Sequence, residues 1–247
     1  MWQELCKTRE EYLERAKLDT KGYSPRRSET LLYEIARLDG MDIKKQDFFN
    51  ILNDIEISPK VTREDTHRIK DLSNAFLYLV KCAQQRKRFS LDFIRDVSAK
   101  VMQHTGKEVY TTIGGYDTSL GDFRLGEEDY EEGILANYAQ IPDMLEQLCK
   151  ETNEKLGNVH DILTVKLAAD FHYRFMHIKP FGAGNITVGL LMMNYIQMMF
   201  REPLILIPGE DKAKYLAAIK MQKDTPTPET FERFVGEELL SQLRKEV

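Results

Sequence analysis

Apolar and polar positions along this chain recur with helical rather than strand spacing almost throughout. Trp2 to Leu18 is charged and moderately amphipathic and predicts an opening helix, with Gly22, Ser24 and Pro25 as punctuation after it. A second helix is predicted from Ser28 to Leu38, ended by Gly40 in the left-handed position that glycine takes at no steric cost. Asp42 to Asn53 predicts a third, and Ser58-Pro59 marks the loop that follows. Arg63 to Gln85 carries Ile69, Leu72, Phe76, Leu79 and Val80 on one face and basic residues on the other, a strong amphipathic helix. Ser90 is placed to cap the next, Leu91 to Gln103.

The spacing changes between Lys107 and Gly126. Val109, Tyr110, Thr111, Thr112 and Ile113 run into Gly114-Gly115, which predicts a short hairpin, the one β element of the chain. Helix resumes from Glu131 to Leu156, broken by Pro142, which fits the first turn of a helix beginning near Gln140. Asp161 to Ile178 and Asn185 to Phe200 form a pair joined by Lys179-Pro180-Phe181-Gly182-Ala183-Gly184. Because residue 179 precedes a proline it is pushed away from the helical region. Leu204 to Pro208 is an apolar connector, and helices over about 211–222 and 228–245 close the chain. With no repeat, low-complexity segment or linker, the fold class is mainly α and one domain spans 1–247. Its parts are N-terminal helices (1–105), the hairpin (about 107–126), a core (about 131–208) and C-terminal helices (209–247).

The stretch from Ile186 to Phe200 is apolar almost all round, through Val188, Leu190, Leu191, Met192, Met193, Ile196, Met198 and Met199. A helix without a polar face belongs inside a bundle, and this one is shorter than the roughly 20 residues a bilayer demands. Arg201 and Glu202 close it, so no membrane association is expected. Its methionines read as fillers of irregular core space. Gly182-Ala183-Gly184-Asn185 feeds its N-terminus, where backbone N–H groups and the positive end of the helix dipole can meet an anion. Two glycines between helices also serve simply to make the turn.

Composition narrows the class. The 247 residues, 42% of them hydrophobic, suffice for a large core. With 35 Lys and Arg against 40 Asp and Glu, a net charge of -5 gives no general nucleic-acid-binding surface. The densest basic cluster, Lys81, Arg86, Lys87 and Arg88, complements the dipole at a helix C-terminus. Cys6, Cys82 and Cys149 are odd in number and far apart, which excludes a disulfide framework and a paired-cysteine metal site and points to a reducing, cytoplasmic compartment. The first residues show no secretion signal. His172 and His177 lie five apart without a third ligand, so no metal site is expected, and His172 reads as a hydrogen-bonded packing residue.

Ala169, His172, Phe175, Ile178, Pro180, Phe181, Gly184, Asn185, Met192 and Asn194 together resemble the centre of the Fic family, A-x-x-H-x-x-F-x-x-I-H-P-F-x-D/E-G-N-G-R-x-x-R-L-L-x-N. The likeness continues into Tyr195-Ile196, Pro203 to Pro208 and Asp211 to Ala218, and Thr111 to Arg124 resembles the family's substrate-binding flap. This resemblance implies a Fic-fold helical bundle and a relation to protein adenylyltransferases, in which a protein hydroxyl attacks the α-phosphate of ATP. Registered on Pro180-Phe181 and Gly184-Asn185, it sets Lys179 at the catalytic-base position and Ala183 at the metal-binding acid. Ile186 falls at the second loop glycine, and Thr187 and Leu190 at the two arginines.

Each replacement has a chemical consequence. Histidine can take the hydroxyl proton because imidazole titrates near neutrality, which an alkyl ammonium does not. Ala183 has no oxygen for Mg²⁺, Ile186 crowds a backbone that must approach the ligand, and Thr187 and Leu190 supply no guanidinium forks. A second trace lies at Ile35, Asp39 and Gly40, which resemble a degenerate form of the family's inhibitory helix, S/T-x-x-x-E-G/N, although a helix-ending glycine explains Gly40 equally well. There the family's glutamate pairs with the second motif arginine, here Leu190.

The resemblance therefore implies a non-catalytic binding or regulatory protein. Neither ATP nor Mg²⁺, the family's ligands, is expected as a cofactor, and a protein partner is expected through the flap at Tyr110, Thr111, Thr112 and Ile113 by strand addition. Weak anion binding at the loop and homo-oligomerisation are compatible with it. The alternative is a nucleotidyl- or phosphoryl-transferase with an altered site that uses Lys179.

Overall fold

In the computed structural model, residues 1–18, 25–56, 58–126, 136–161, 163–220 and 228–247 are described. The helices are α1 (Trp2–Leu18), α2 (Pro25–Leu38), α3 (Lys45–Leu52), α4 (Arg63–Gln84), α5 (Leu91–Val101), α6 (Ile141–Leu156), α7 (Leu163–Ile178), α8 (Asn185–Phe200), α9 (Lys212–Ile219) and α10 (Glu229–Glu246). Strands β1 (Glu108–Thr111) and β2 (Gly114–Asp117) pair antiparallel between α5 and α6. The mainly α expectation is met.

The apolar helix is the centre of the molecule. Val188, Leu191, Met192, Met193, Tyr195 and Ile196 of α8 are all fully buried, and α8 packs against α7, α4, α2 and α5. Side chains on every face remove so much apolar surface from water that this helix needs no amphipathic stripe. Around it, α6 packs on α7, and α10 closes the far side against α1, α7 and α9. Asn194, the last residue of the resemblance, ties α8 to the connector after it: its amide donates to the carbonyls of Leu190 and Ile205, both at 3.1 Å, and accepts the Ile205 N–H at 2.8 Å.

Local end signals worked where chemistry was explicit. The Ser90 hydroxyl accepts the Phe93 N–H at 3.1 Å. Gly40 sits at φ +93°, while the Gly40 and Met41 N–H groups satisfy the carbonyls of Arg37 and Ala36 at the end of α2. His172 is fully buried with its Nε2 2.9 Å from the Tyr215 hydroxyl, the packing role read for it.

Several boundaries differ. The helix expected from Glu131 is not continuous: residues 131–135 lie outside the described residues, Ala136 and Asn137 are not helical, and Tyr138–Gln140 is a 3₁₀ turn capped by Asn137. The α-helix starts at Ile141, with Pro142 in its first turn where its missing N–H costs nothing. Likewise α7 starts at Leu163 rather than Asp161, whose φ of +52° is not helical, and α3 starts at Lys45 rather than Asp42, with Lys44 extended. At the other end of the chain, α9 stops at Ile219 because Lys220 turns extended, and residues 221–222 of the predicted helix lie outside the described residues. In the hairpin, Thr112 and Ile113 make the turn rather than continuing the strand, and Gly114, at φ +147°, begins the return opposite Thr111. The glycine pair expected to turn the chain lies in β2, where Gly115 faces the Tyr110 ring and leaves it room.

Candidate functional site: the loop entering the buried helix

The loop from Lys179 to Gly184 is held from three sides. The Lys179 N–H closes α7 on the Phe175 carbonyl at 2.9 Å, and the residue itself takes φ +46°, a left-handed conformation unusual for a side chain with a Cβ. Asn185 staples the loop across its width: its Oδ1 accepts the Phe181 N–H at 3.0 Å and its Nδ2 donates to the Phe181 carbonyl at 2.7 Å. Gly184, at φ +73°, then delivers the chain into α8, where its carbonyl accepts the Val188 N–H. The asparagine and glycine of the motif thus shape the backbone.

Arg124 supplies the third support, and it was read from sequence only as the end of the flap. Its side chain is buried, and Nε donates to the Lys179 carbonyl at 2.7 Å while Nη2 donates to that of Ala136 at 2.6 Å. Longer bonds of 3.4 Å reach the carbonyls of Ile178 and Gly126, and the Arg124 N–H donates to the Pro180 carbonyl at 2.9 Å. No carboxylate pairs with it among the described residues. The negative end of the α7 dipole and the carbonyls it carries balance this guanidinium. One side chain thereby joins the end of the flap to the loop and to the start of the α6 segment.

The flap meets the loop at a second place. A Cβ on Gly182 would lie 2.4 Å from the Tyr116 hydroxyl of β2, so only glycine admits this approach. Phe123 also packs its ring 5.7 Å from that of Phe181. At the hairpin base, Thr118 both donates to and accepts from the Lys107 backbone. The outer end is open to solvent: Tyr110 is 78% and Ile113 49% exposed, with the Tyr110 hydroxyl donating to Glu108 at 2.6 Å.

On the other side of the loop, Ala183, Gly184 and Thr187 border a cleft of about 310 Å³ whose remaining walls come from the end of α2, from α4 and from the end of α5. Asp39 and Arg68 meet there at 3.4 Å. The Thr187 hydroxyl hydrogen-bonds to Asp39, and Lys212 attracts it from α9. Burial lifts the Asp39 carboxyl above the usual carboxylate range, against the opposing pull of Thr187, Arg68 and Lys212. Glu64 adds a second carboxylate to the walls.

The sequence-derived positions therefore separate. Asp39, Ala183, Gly184 and Thr187 share the cleft, whereas Lys179, Ile186, Leu190 and the flap residues Tyr110 to Ile113 do not line it. Ile35 and Leu190 are core residues, 1% and 2% exposed, and Thr187 is 5% exposed. Asp39 bonds Thr187 and Arg68, not position 190, so the expected counterpart of the acid is replaced by partners from α8 and α4. Among the described residues no group of three His, Cys, Asp or Glu side chains is arranged to hold a metal ion. No helix of the described residues is long and apolar enough to cross a membrane.

A buried helix entered through an asparagine-stapled glycine loop, with a hairpin on one side and the end of an acid-bearing helix on the other, defines a mainly helical protein organised around one helix N-terminus. Residues 88–197 match the Fic/DOC family. This match marks residues 88–197 as a Fic/DOC-type domain, and the likenesses that follow agree with it. The protein adenylyltransferase Fic of Drosophila erecta is 29% identical over 175 residues, covering 70% of this chain and 32% of that protein. Its Drosophila melanogaster counterpart is 33% identical over 73 residues, 30% of this chain and 15% of that one. The chain thus spans about a third or less of the length of these relatives.

Among solved structures, Fic-1 from C. elegans superposes with a TM-score of 0.77 at 17% identity, covering 100% of this chain and 70% of that one. A Fic domain containing signaling protein from Bacteroides thetaiotaomicron gives 0.74 at 18% identity, covering 96% and 95%. The shared fold is that of the family.

Proposed function

We propose that this chain is a Fic-family protein without adenylyl-transfer activity, which acts by binding a protein partner through its flap. The observation that carries the reading is the lining of the α8 entrance. The positions matched to the two phosphate-binding arginines are Thr187 and Leu190, both buried, and Leu190 lies in the apolar core. What faces the loop across the cleft is Asp39 and Glu64 with a single guanidinium, Arg68, already paired to Asp39. Two carboxylates oppose a polyphosphate that the family's arginines would attract. Ala183 contributes no metal-binding oxygen, and Lys179 replaces the base.

Loss of one positioned charge-stabilising group commonly lowers a rate by about a hundredfold or more. Several such losses together leave no measurable transfer, even allowing for non-additivity. The exposed flap, with Tyr110 and Ile113 at its tip and a sheet of only two strands among the described residues, suits the addition of a partner strand.

Purified protein incubated with α-labelled ATP and Mg²⁺, alone and with a cell lysate, tests the reading. Label on the protein or its targets should not exceed that of a heat-denatured sample, for the unaltered chain and for Lys179→His alike. Transfer above that control by the unaltered chain would refute the proposal and favour an enzyme with an altered site that uses Lys179. Recovery by Lys179→His alone would show that the changes at Ala183, Thr187 and Leu190 are not disabling.

A further inference from the structure

The cleft bounded by α2, α4 and the α8 entrance has its own chemistry. At about 310 Å³ it is within the range of small-molecule sites. Its inner wall is apolar, with Met41, Leu72 and Val101 all nearly buried. Its polar wall opposes one guanidinium, Arg68, to two carboxylates, Asp39 and Glu64. The Asp39–Arg68 contact is long for a charge-assisted bond, at 3.4 Å, and it engages one of the five N–H donors a guanidinium carries.

Each single-charge ligand meets a specific obstacle here. An anion that takes Arg68 must displace Asp39 and leave a largely buried carboxylate with only the Thr187 hydroxyl and the charge of Lys212 to offset it. A simple amine that takes Asp39 strips the partner from Arg68 in the same way. A ligand carrying both charges removes the conflict, because opening the Asp39–Arg68 pair then replaces one ion pair by two without net change in charge. The charges of an α-amino acid are one carbon apart, matched to a facing carboxylate and guanidinium 3.4 Å from each other.

We propose that this cleft binds a small zwitterion with an apolar side chain, in the simplest case an apolar α-amino acid. Its carboxylate lies on the Arg68 fork, its ammonium between Asp39 and Glu64, and its side chain against Met41, Leu72 and Val101. The inference rests on the reading above that polyphosphate is not the ligand of this cleft, and it names what takes its place.

Calorimetric titration of the full chain with L-leucine, L-methionine, N-acetyl-L-leucine, L-leucinamide and ATP with Mg²⁺ tests it. Saturable binding of leucine or methionine is expected, with the two singly charged analogues about tenfold or more weaker, since each forfeits one charge-assisted contact. Arg68→Gln and Asp39→Asn should each weaken leucine binding by a similar factor. The analogue series on the unaltered protein decides the matter if a variant fails to fold. Absence of saturable binding by leucine and methionine up to their solubility limits overturns the proposal, as does equal binding of N-acetyl-L-leucine or L-leucinamide. If neither amino acid nor ATP binds, this inference alone falls; if ATP binds with Mg²⁺ and the amino acids do not, the exclusion of polyphosphate falls with it.

Discussion

Replacing Arg124 by methionine tests whether one buried side chain holds the flap to the loop. Methionine keeps the length and apolar stem and removes every donor. Two short bonds, to Lys179 at 2.7 Å and Ala136 at 2.6 Å, carry most of the interaction, while the two at 3.4 Å contribute little. Hydrogen bonds from a charged group contribute about 1.5–3 kcal/mol each, so the gross loss is about 3–6 kcal/mol. Removing a buried cation also removes its desolvation cost, which brings the expected net destabilisation to about 3 kcal/mol. For a chain of this size that corresponds to a fall in Tm of roughly 6–12 °C.

Thermal unfolding followed by circular dichroism gives this quantity, and hydrogen exchange locates it. In Arg124→Met, protection should fall first at the amides of Lys179 and of residue 124, whose N–H bonds to the Phe175 and Pro180 carbonyls depend on the loop being held. Arg124→Lys, which keeps the charge but not the fork, should lie between. A Tm within about 2 °C of the unaltered chain, with loop exchange unchanged, would refute the assignment of Arg124 as the support of this loop.

Two further outcomes are specific. Gly182→Ala places a methyl group 2.4 Å from the Tyr116 hydroxyl and should cost about 1–3 kcal/mol with faster exchange in β2; adding Tyr116→Ala should remove that penalty in a double-mutant cycle, and strict additivity would contradict the contact. Burial pushes the His172 imidazole from its ordinary 6.5 down to about 4, so between those values the unfolded chain binds a proton that the folded chain refuses. Its contribution to stability is therefore complete above the upper value and is lost as the pH falls toward the lower, at up to about 1.4 kcal/mol per pH unit. His177, also held down by burial, adds to the same slope. Urea midpoints between pH 4 and 7 should show a shallower dependence in His172→Gln, and an unchanged slope would count against a neutral buried ring.

What could be read from the sequence was what residues a few positions apart determine. The all-apolar run of α8, the Ser90 cap, the Gly40 stop and the hairpin all follow from period, cap chemistry or glycine placement. Even there, which two residues turn the hairpin was misplaced, because pairing Thr111 with Gly114 depends on register and not on the glycine pair alone. The loop's asparagine and glycine were visible as a motif, although their staple and left-handed turn were not. Contacts between distant segments were beyond reach. Arg124 lies 55 positions from Lys179, and no composition or period marks it among the other arginines. Arg68 falls among the basic residues opposite the apolar face of α4, and only the folded chain brings it to Asp39 from 29 positions away. A basic residue on the polar face of a long helix carries no sign of whether water or a cleft receives it.

The burial of Leu190 bars a single substitution from placing a charge at that position. An arginine introduced there alone would put a cation into the apolar centre of the bundle, next to a backbone carbonyl already engaged by Asn194. Such a substitution thus yields a poorly folded chain unless Asp39, Thr187 and the surrounding core change first. In a lineage carrying this bundle, selection for stability alone would act to keep a cation out of that position, whatever the demand for activity.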